Sequence, residues 1–185
     1  MNKKIIIVTI ILCITFLLIY VPNKNNNKFD TVVTYTENTT YQPEINILEP
    51  SLEEINLLAQ FIKNETNNED LKAKLAVGIV ILNRVHSHSF PDTISEVIHM
   101  PGYFTLPENG LSTIEITEND IQIAKKVVRI FNEQTPIEDE KGNNLLSAFY
   151  WYAPNYTDAE TIKKVESEYP PLGQIGERKF LAEKR

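Results

Sequence analysis

One stretch governs what this chain can become. From about Leu71 to Val85 the residues read as a helix that is apolar nearly all round, with Leu75, Ala76, Val77, Ile79, Val80, Ile81 and Leu82 in close succession. A helix without a polar face must be enclosed by other elements, so this one belongs at the centre of a domain. Its cover has to come from amphipathic helices. Ser51 with Glu54 three residues on, directly after Pro50, has the form of a capping box. Ile55, Leu58, Ala59 and Ile62 follow at helical spacing. A third helix begins at Thr117 and carries Ile121, Ala124, Val127, Val128 and Phe131 on one face. Between the second and third, Pro91, Pro101, Gly102, Pro107 and Gly110 impose loops and short turns. Past Gly142 comes an aromatic cluster of Phe149, Tyr150, Trp151, Tyr152 and Tyr156. The expected fold is mainly α (α+β), with long functional loops and room for a small hairpin.

The chain before Ser51 reads differently. Lys3 and Lys4 precede a charge-free apolar run from Ile5 to Val21. That order is an export signature, and the run reaches the lower end of the ~17–25 residues that span a bilayer. No small-x-small cleavage site follows it, so residues 1–22 are expected to be a signal anchor in preference to a cleaved signal peptide. The lysines put the N-terminus inside and the rest of the chain outside. Cys13 lies in mid-run among large residues and reads as part of the anchor, not as a lipid attachment point. Residues 23–50 are polar, rich in Asn and Thr, and read as a spacer. Residues 51–185 form the expected folded domain.

The net charge of the 185 residues is −7. Phosphate backbones require a basic footprint, so nucleic acid is excluded as the natural partner. A single cysteine leaves no disulfide within a monomer and no cysteine metal site. His86 and His88 are two apart, unlike the i, i+4 pairs of helical zinc motifs. They sit before Ser89, Phe90 and Pro91, where a loop is expected, and His99 is further on. No metal and no cofactor are expected.

One carboxylate stands out. The apolar stripe Ile55, Leu58, Ile62 continues by three to Glu65, at the C-terminal end of the first helix. Burial and the partial negative charge of a helix C-terminus both disfavour ionisation there. A carboxyl kept protonated near neutrality is what a general acid needs. The alternative is a helix that ends before Glu65 and leaves the side chain in water. Glu69 or Asp70 could serve as a second carboxylate, since glycosidases commonly use a pair; Asp70 is better suited to capping the second helix. The aromatic cluster has two readings as well, a sugar-stacking groove or core filling, and Phe149 and Trp151 alternate with Tyr150 and Tyr152.

Together these residues resemble a known family. Asn64-Glu65-Thr66-Asn67-Asn68-Glu69, followed by Leu75-Ala76-Val77-Gly78-Ile79-Val80-Ile81-Leu82-Asn83-Arg84-Val85, is similar to the SleB/CwlJ-type cell wall hydrolases, also called spore cortex-lytic enzymes. The similarity continues through Ser89-Phe90-Pro91-Asp92-Thr93-Ile94, Val97-Ile98 and Pro101-Gly102-Tyr103-Phe104-Thr105. It is weaker at Ala148-Phe149-Tyr150 with Pro154, and at Ile175-Gly176 with Phe180.

The resemblance implies a lysozyme-like domain similar to the lytic transglycosylases, and cleavage of the glycan strand of peptidoglycan, whether of vegetative wall or spore cortex. It implies Glu65 as the catalytic acid, Glu69 in support, and Phe104, Thr105, Tyr150 and Tyr152 as candidates for the substrate groove. Glu65 would protonate the leaving oxygen and then accept a proton, from the sugar's 6-hydroxyl or from water. The chain departs from the family pattern at Asn68, Ala153 and Arg178, where Gly, Asn and His are usual, and in a longer, more charged stretch from Tyr156 to Pro171. Two rival readings remain: an N-acetylmuramoyl-L-alanine amidase, for which these residues build no metal or nucleophile site, and a non-catalytic peptidoglycan-binding or scaffold protein.

Overall fold

The computed structural model describes residues 47–67 and 69–184. The expected anchor and most of the spacer lie outside the described residues.

Helix α1 spans Leu52–Thr66 and opens on the expected box: Glu54 N–H donates to Ser51 Oγ, and the Ser51 N–H donates to the Glu54 carboxylate. Helix α2, Leu71–His86, is capped by Asp70, which accepts from Ala73 N–H at 2.8 Å. Short helix α3, Ile94–Ile98, follows the first proline turn, and a 3-10 turn occupies Leu111–Thr113. Helix α4, Glu118–Glu133, starts from a second box between Thr117 and Asp120. Strand β1 is Tyr150–Tyr152, helix α5 is Ala159–Glu168, and strands β2 and β3 are Pro171–Ile175 and Arg178–Leu181. The strands form one antiparallel sheet in the order β1-β3-β2. The expected hairpin is β2–β3, and β1 adds a third strand to it.

As its composition demands, α2 is the enclosed helix: Ala76, Val77, Ile79, Val80, Ile81 and Leu82 are all fully buried. It packs against both α1 and α4. Gly78 makes the close approach possible. A Cβ there would stand 2.7 and 2.9 Å from the methyls of Val127 and 3.0 Å from Ile62 Cδ1. The buried face of α4 is Ile123, Ala124, Val127, Ile130 and Phe131. Ile121 and Val128, expected on that face, are only partly buried at its margin. The stripe is turned toward Ile123 and Ile130 because α4 must meet α1 and α2 at once.

One correction concerns the start of the domain. The folded unit begins before Ser51, because Leu48 is fixed to α4: its N–H donates to Asn132 Oδ1 at 3.0 Å, and Asn132 Nδ2 donates back to the Leu48 carbonyl at 2.9 Å. The end of the spacer stretch is therefore docked. The charged stretch after Tyr156 forms α5.

The end of α2 explains why Asn and Arg stand together there. Asn83 Nδ2 donates to the carbonyls of Leu146 and Ala148 at 2.8 and 2.7 Å. Arg84 is buried, and its Nε donates to the Phe149 carbonyl at 2.9 Å. Its guanidinium lies 4.9–5.2 Å from the ring centres of Phe90, Tyr103, Phe104 and Tyr150. Cation–π attraction offsets part of the cost of burying that charge. These two side chains fasten the turn that leads into β1, and the proline-rich loop through its aromatic rings.

Candidate active site

The sheet has two faces, and the alternation of its strands decides what each presents. Trp151 pairs across β1–β3 with Phe180, while Tyr150 and Tyr152 pair with Leu181 and Lys179. Trp151, Phe180 and Arg178 therefore share one face, directed at α1 and α2. Tyr150, Tyr152, Lys179 and Leu181 share the other, which Val165 and Tyr169 cover from the α5 side.

Glu65 lies in the last turn of α1, within the helix and on its inward side, one turn beyond fully buried Phe61. The Trp151 ring meets Phe61 edge-on at 6.5 Å and stacks on Phe104 at 5.6 Å, with 23° between the planes. Arg178 projects from the same sheet face, 5.9 Å from the Trp151 ring centre. Its Nη2 donates to the backbone carbonyl of Glu65. Its Nε and Nη2 donate to the Glu69 carboxylate at 3.0 and 2.8 Å. One carboxyl from α1, one from the α1–α2 connection and one guanidinium from β3 thus converge beside an aromatic wall.

Glu65 is half-buried, with its carboxyl crowded by protein atoms on most sides. That burial pushes it up to about 7, against the pull of the Arg178 charge and a long bond from Asn64 Nδ2 at 3.5 Å, while the Glu69 charge adds a small push upward. The group can therefore be protonated near neutral pH and can give up its proton in the same range. Glu69 is engaged with Arg178 through both oxygens, which leaves Glu65 as the carboxyl with a proton to offer.

The segment 68–181 matches the family described as Cell Wall Hydrolase. The chain belongs to the cell wall hydrolase family. Glu69, Phe104, Trp151 and Arg178 fall inside the matched segment, and Glu65 lies just before it. Among curated relatives, the spore cortex-lytic enzyme of Bacillus cereus is 35% identical over 130 residues, which is 70% of this chain and 44% of that protein. The enzyme of the same name from Oceanobacillus iheyensis is 32% identical over 145 residues, covering 78% of this chain and 47% of that one. This chain thus spans less than half the length of those relatives. The crystal structure of the catalytic domain of Bacillus cereus SleB matches with a TM-score of 0.56 and 27% identity, over 79% of this chain and 99% of that domain. The mainly helical fold with its small antiparallel sheet is that of the SleB catalytic domain.

In this cell wall hydrolase the other candidate residues fall as follows. Phe104 is in the aromatic wall, and exposed Thr105 follows it on the loop. Tyr152 is buried on the opposite sheet face, where its hydroxyl donates to Glu166. Tyr150 faces the same way, its ring 4.5 Å from that of Tyr169. Tyr152 is off the Glu65 side, so the expectation that it lines the groove is corrected; the Tyr150 ring also lies 5.0 Å from the Arg84 guanidinium and 6.3 Å from Phe90, and Trp151 is the β1 ring that stacks on Phe104. Burial pushes both phenols up, with the Glu166 contact adding to the effect at Tyr152. Asp70 is a helix cap. The His86 ring packs edge-on to Phe131 at 5.7 Å, and His99 Nδ1 lies 2.7 Å from the Ser95 carbonyl. Among the described residues no three His, Cys, Asp or Glu side chains converge as metal ligands.

Trp151 and Arg178 are the site residues that sequence reasoning missed. The alternation Phe149/Trp151 against Tyr150/Tyr152 contained the signal for Trp151, but not which side faces the helices. Arg178 stood out only as a departure from the family's usual His.

Proposed function

We propose that this protein cleaves the glycan strand of peptidoglycan, between N-acetylmuramic acid and N-acetylglucosamine, by a lytic transglycosylase-type reaction. The observation that carries this is Glu65: a carboxyl raised to about 7 at the end of a helix, beside an aromatic wall, in a chain folded like the SleB catalytic domain. A match of the same kind, the catalytic domain of SleB from Bacillus anthracis, bears the description germination-specific lytic transglycosylase, with a TM-score of 0.55 and 27% identity.

In the proposed reaction the Glu65 carboxylic acid protonates the glycosidic oxygen as the bond to the muramic acid C1 breaks. The resulting carboxylate removes the proton from the 6-hydroxyl of the same sugar, whose oxygen closes on C1. The proton balance closes on one residue, and no second carboxylate is needed. Phe104, Thr105 and Trp151 supply the wall against which the glycan rests, the rings through their apolar faces.

The test is mass spectrometry of fragments released from purified peptidoglycan by the full chain. Fragments with 1,6-anhydromuramic ends are the expected product. Reducing ends would make the protein a hydrolase, free stem peptides an amidase, and wall binding without fragments a binding protein. Residues 1–22 are proposed to hold the catalytic domain at the outer membrane surface. Recovery of the full chain in a salt-washed membrane fraction, accessible to protease from outside, is the expected result.

A further inference from the structure

We infer that Arg178 is the positioning residue of this site: its guanidinium, held over the Trp151 ring, closes the end of α1 through the Glu65 carbonyl and clamps Glu69 beside it, and so fixes where the Glu65 carboxyl sits. The inference rests on the reading of Glu65 as the acid.

The last carbonyls of a helix have no partner within it. Arg178 Nη2 bonds the one that belongs to Glu65. The same nitrogen and Nε hold the Glu69 carboxylate at 2.8 and 3.0 Å, a forked arrangement that one planar guanidinium can make and a lysine ammonium cannot. Arg178 is itself fixed, because β3 is paired with β1 on one side and β2 on the other. Its side chain is only 15% exposed. The residue therefore ties the catalytic turn of α1 to the sheet across 113 positions of sequence.

Arg178 and Glu69 also place opposite charges next to Glu65, and the Arg178 pull is the stronger of the two. The groups acting on the Glu65 carboxyl are Arg178 from β3, Glu69 from the connection and Asn64 from α1. Removing either member of the pair leaves the other unbalanced, and the two cases have opposite sign. Arg178→Gln leaves Glu69 to oppose ionisation of Glu65. Glu69→Gln leaves Arg178 to favour it. A site that was merely loosened would move in the same direction, or not at all, in both variants.

The experiment follows Glu65 in the full chain by carbon-13 carboxyl NMR titration without substrate, alongside the pH dependence of glycan cleavage, for Arg178→Gln, Arg178→Lys and Glu69→Gln. The expected result is a Glu65 midpoint about half a unit or more higher in Arg178→Gln and lower, by a smaller step, in Glu69→Gln. Arg178→Lys should keep its midpoint between those two and lose roughly 10-fold or more in turnover, because the charge is kept and the fork is lost. Shifts of the same sign, or none, in the two Gln variants would overturn the inference. Should Arg178→Gln fail to fold by circular dichroism, Glu69→Gln decides alone, an unmoved or raised midpoint being the overturning result. The titration needs no turnover, so it stands apart from the function: a wild-type chain that releases no glycan fragments would refute the proposed activity and leave the titration to judge Arg178.

Discussion

Replacing Glu65 by Gln should make the protein inactive and, above pH 7, more stable. Gln has the shape of a protonated Glu but cannot ionise. Burial holds the Glu65 carboxyl at about 7 instead of 4.5. In the unfolded chain the group ionises at its ordinary value, so between pH 4.5 and 7 the native state binds more protons than the unfolded one. Stability that is fully present below pH 4.5 is therefore lost as pH rises toward 7, and the loss levels off above it. At ~1.36 kcal/mol per unit, the full difference corresponds to about 3 kcal/mol. The side chain keeps some contact with water, which reduces this to roughly 1–3 kcal/mol. With a urea slope of ~1–3 kcal/mol per molar, the unfolding midpoints of variant and wild type should separate by about 1 M. The assay is urea unfolding read by the fluorescence of Trp151, the single tryptophan, which stacks on Phe104 at the site. At pH 4 the two proteins should unfold together; at pH 8 Glu65→Gln should outlast wild type while releasing nothing from peptidoglycan. A gap that does not change with pH, or a wild type that is the more stable at pH 8, would sink the argument that Glu65 is held protonated by burial.

Three further outcomes follow from the same structure. Glycan cleavage should decline as pH rises through about 7, because the working form of Glu65 is the protonated one; pH–rate measurements on purified peptidoglycan should place the alkaline limb there. Gly78→Ala should destabilise the domain by about 1–3 kcal/mol in chemical denaturation although Ala is the better helix former, because its methyl would meet Val127 within 3 Å. Arg84→Lys should cost roughly 2–4 kcal/mol by the same measurement, since an ammonium cannot keep both the bond to the Phe149 carbonyl and the flat contact with four rings.

Much of this could be seen in the residues alone. The apolar helix had to be central, and it is; the boxes at Ser51 and Thr117 set their helices where expected because capping is a local matter of one side chain and one backbone turn. The position of Glu65 followed from counting along a stripe, since the period of a helix is fixed. What could not be read was any choice between two faces. Period-two alternation says that Trp151 and Tyr152 point apart, but only the docking of the sheet between the helices and α5 decides which one faces α1. The pairing of Arg178 with Glu69 depends on β3 lying against the start of the domain, a contact between distant segments that no local pattern encodes. The docking of Leu48 escaped for the same reason: its partner, Asn132, is 84 residues away.

That long separation at Arg178 has a consequence in time. The helix that bears Glu65 opens the described domain, and the strand that bears Arg178 comes close to its end. A chain emerging in order makes α1, α2 and α4 first, with the end of α1 still uncovered. Glu65 is then present but has no guanidinium at its carbonyl. The working arrangement comes into being only when the last strand docks, so the ability to cut arrives late and all at once. For an enzyme of the proposed kind, whose substrate is the polymer that holds a cell in shape, an unfinished copy is a harmless one.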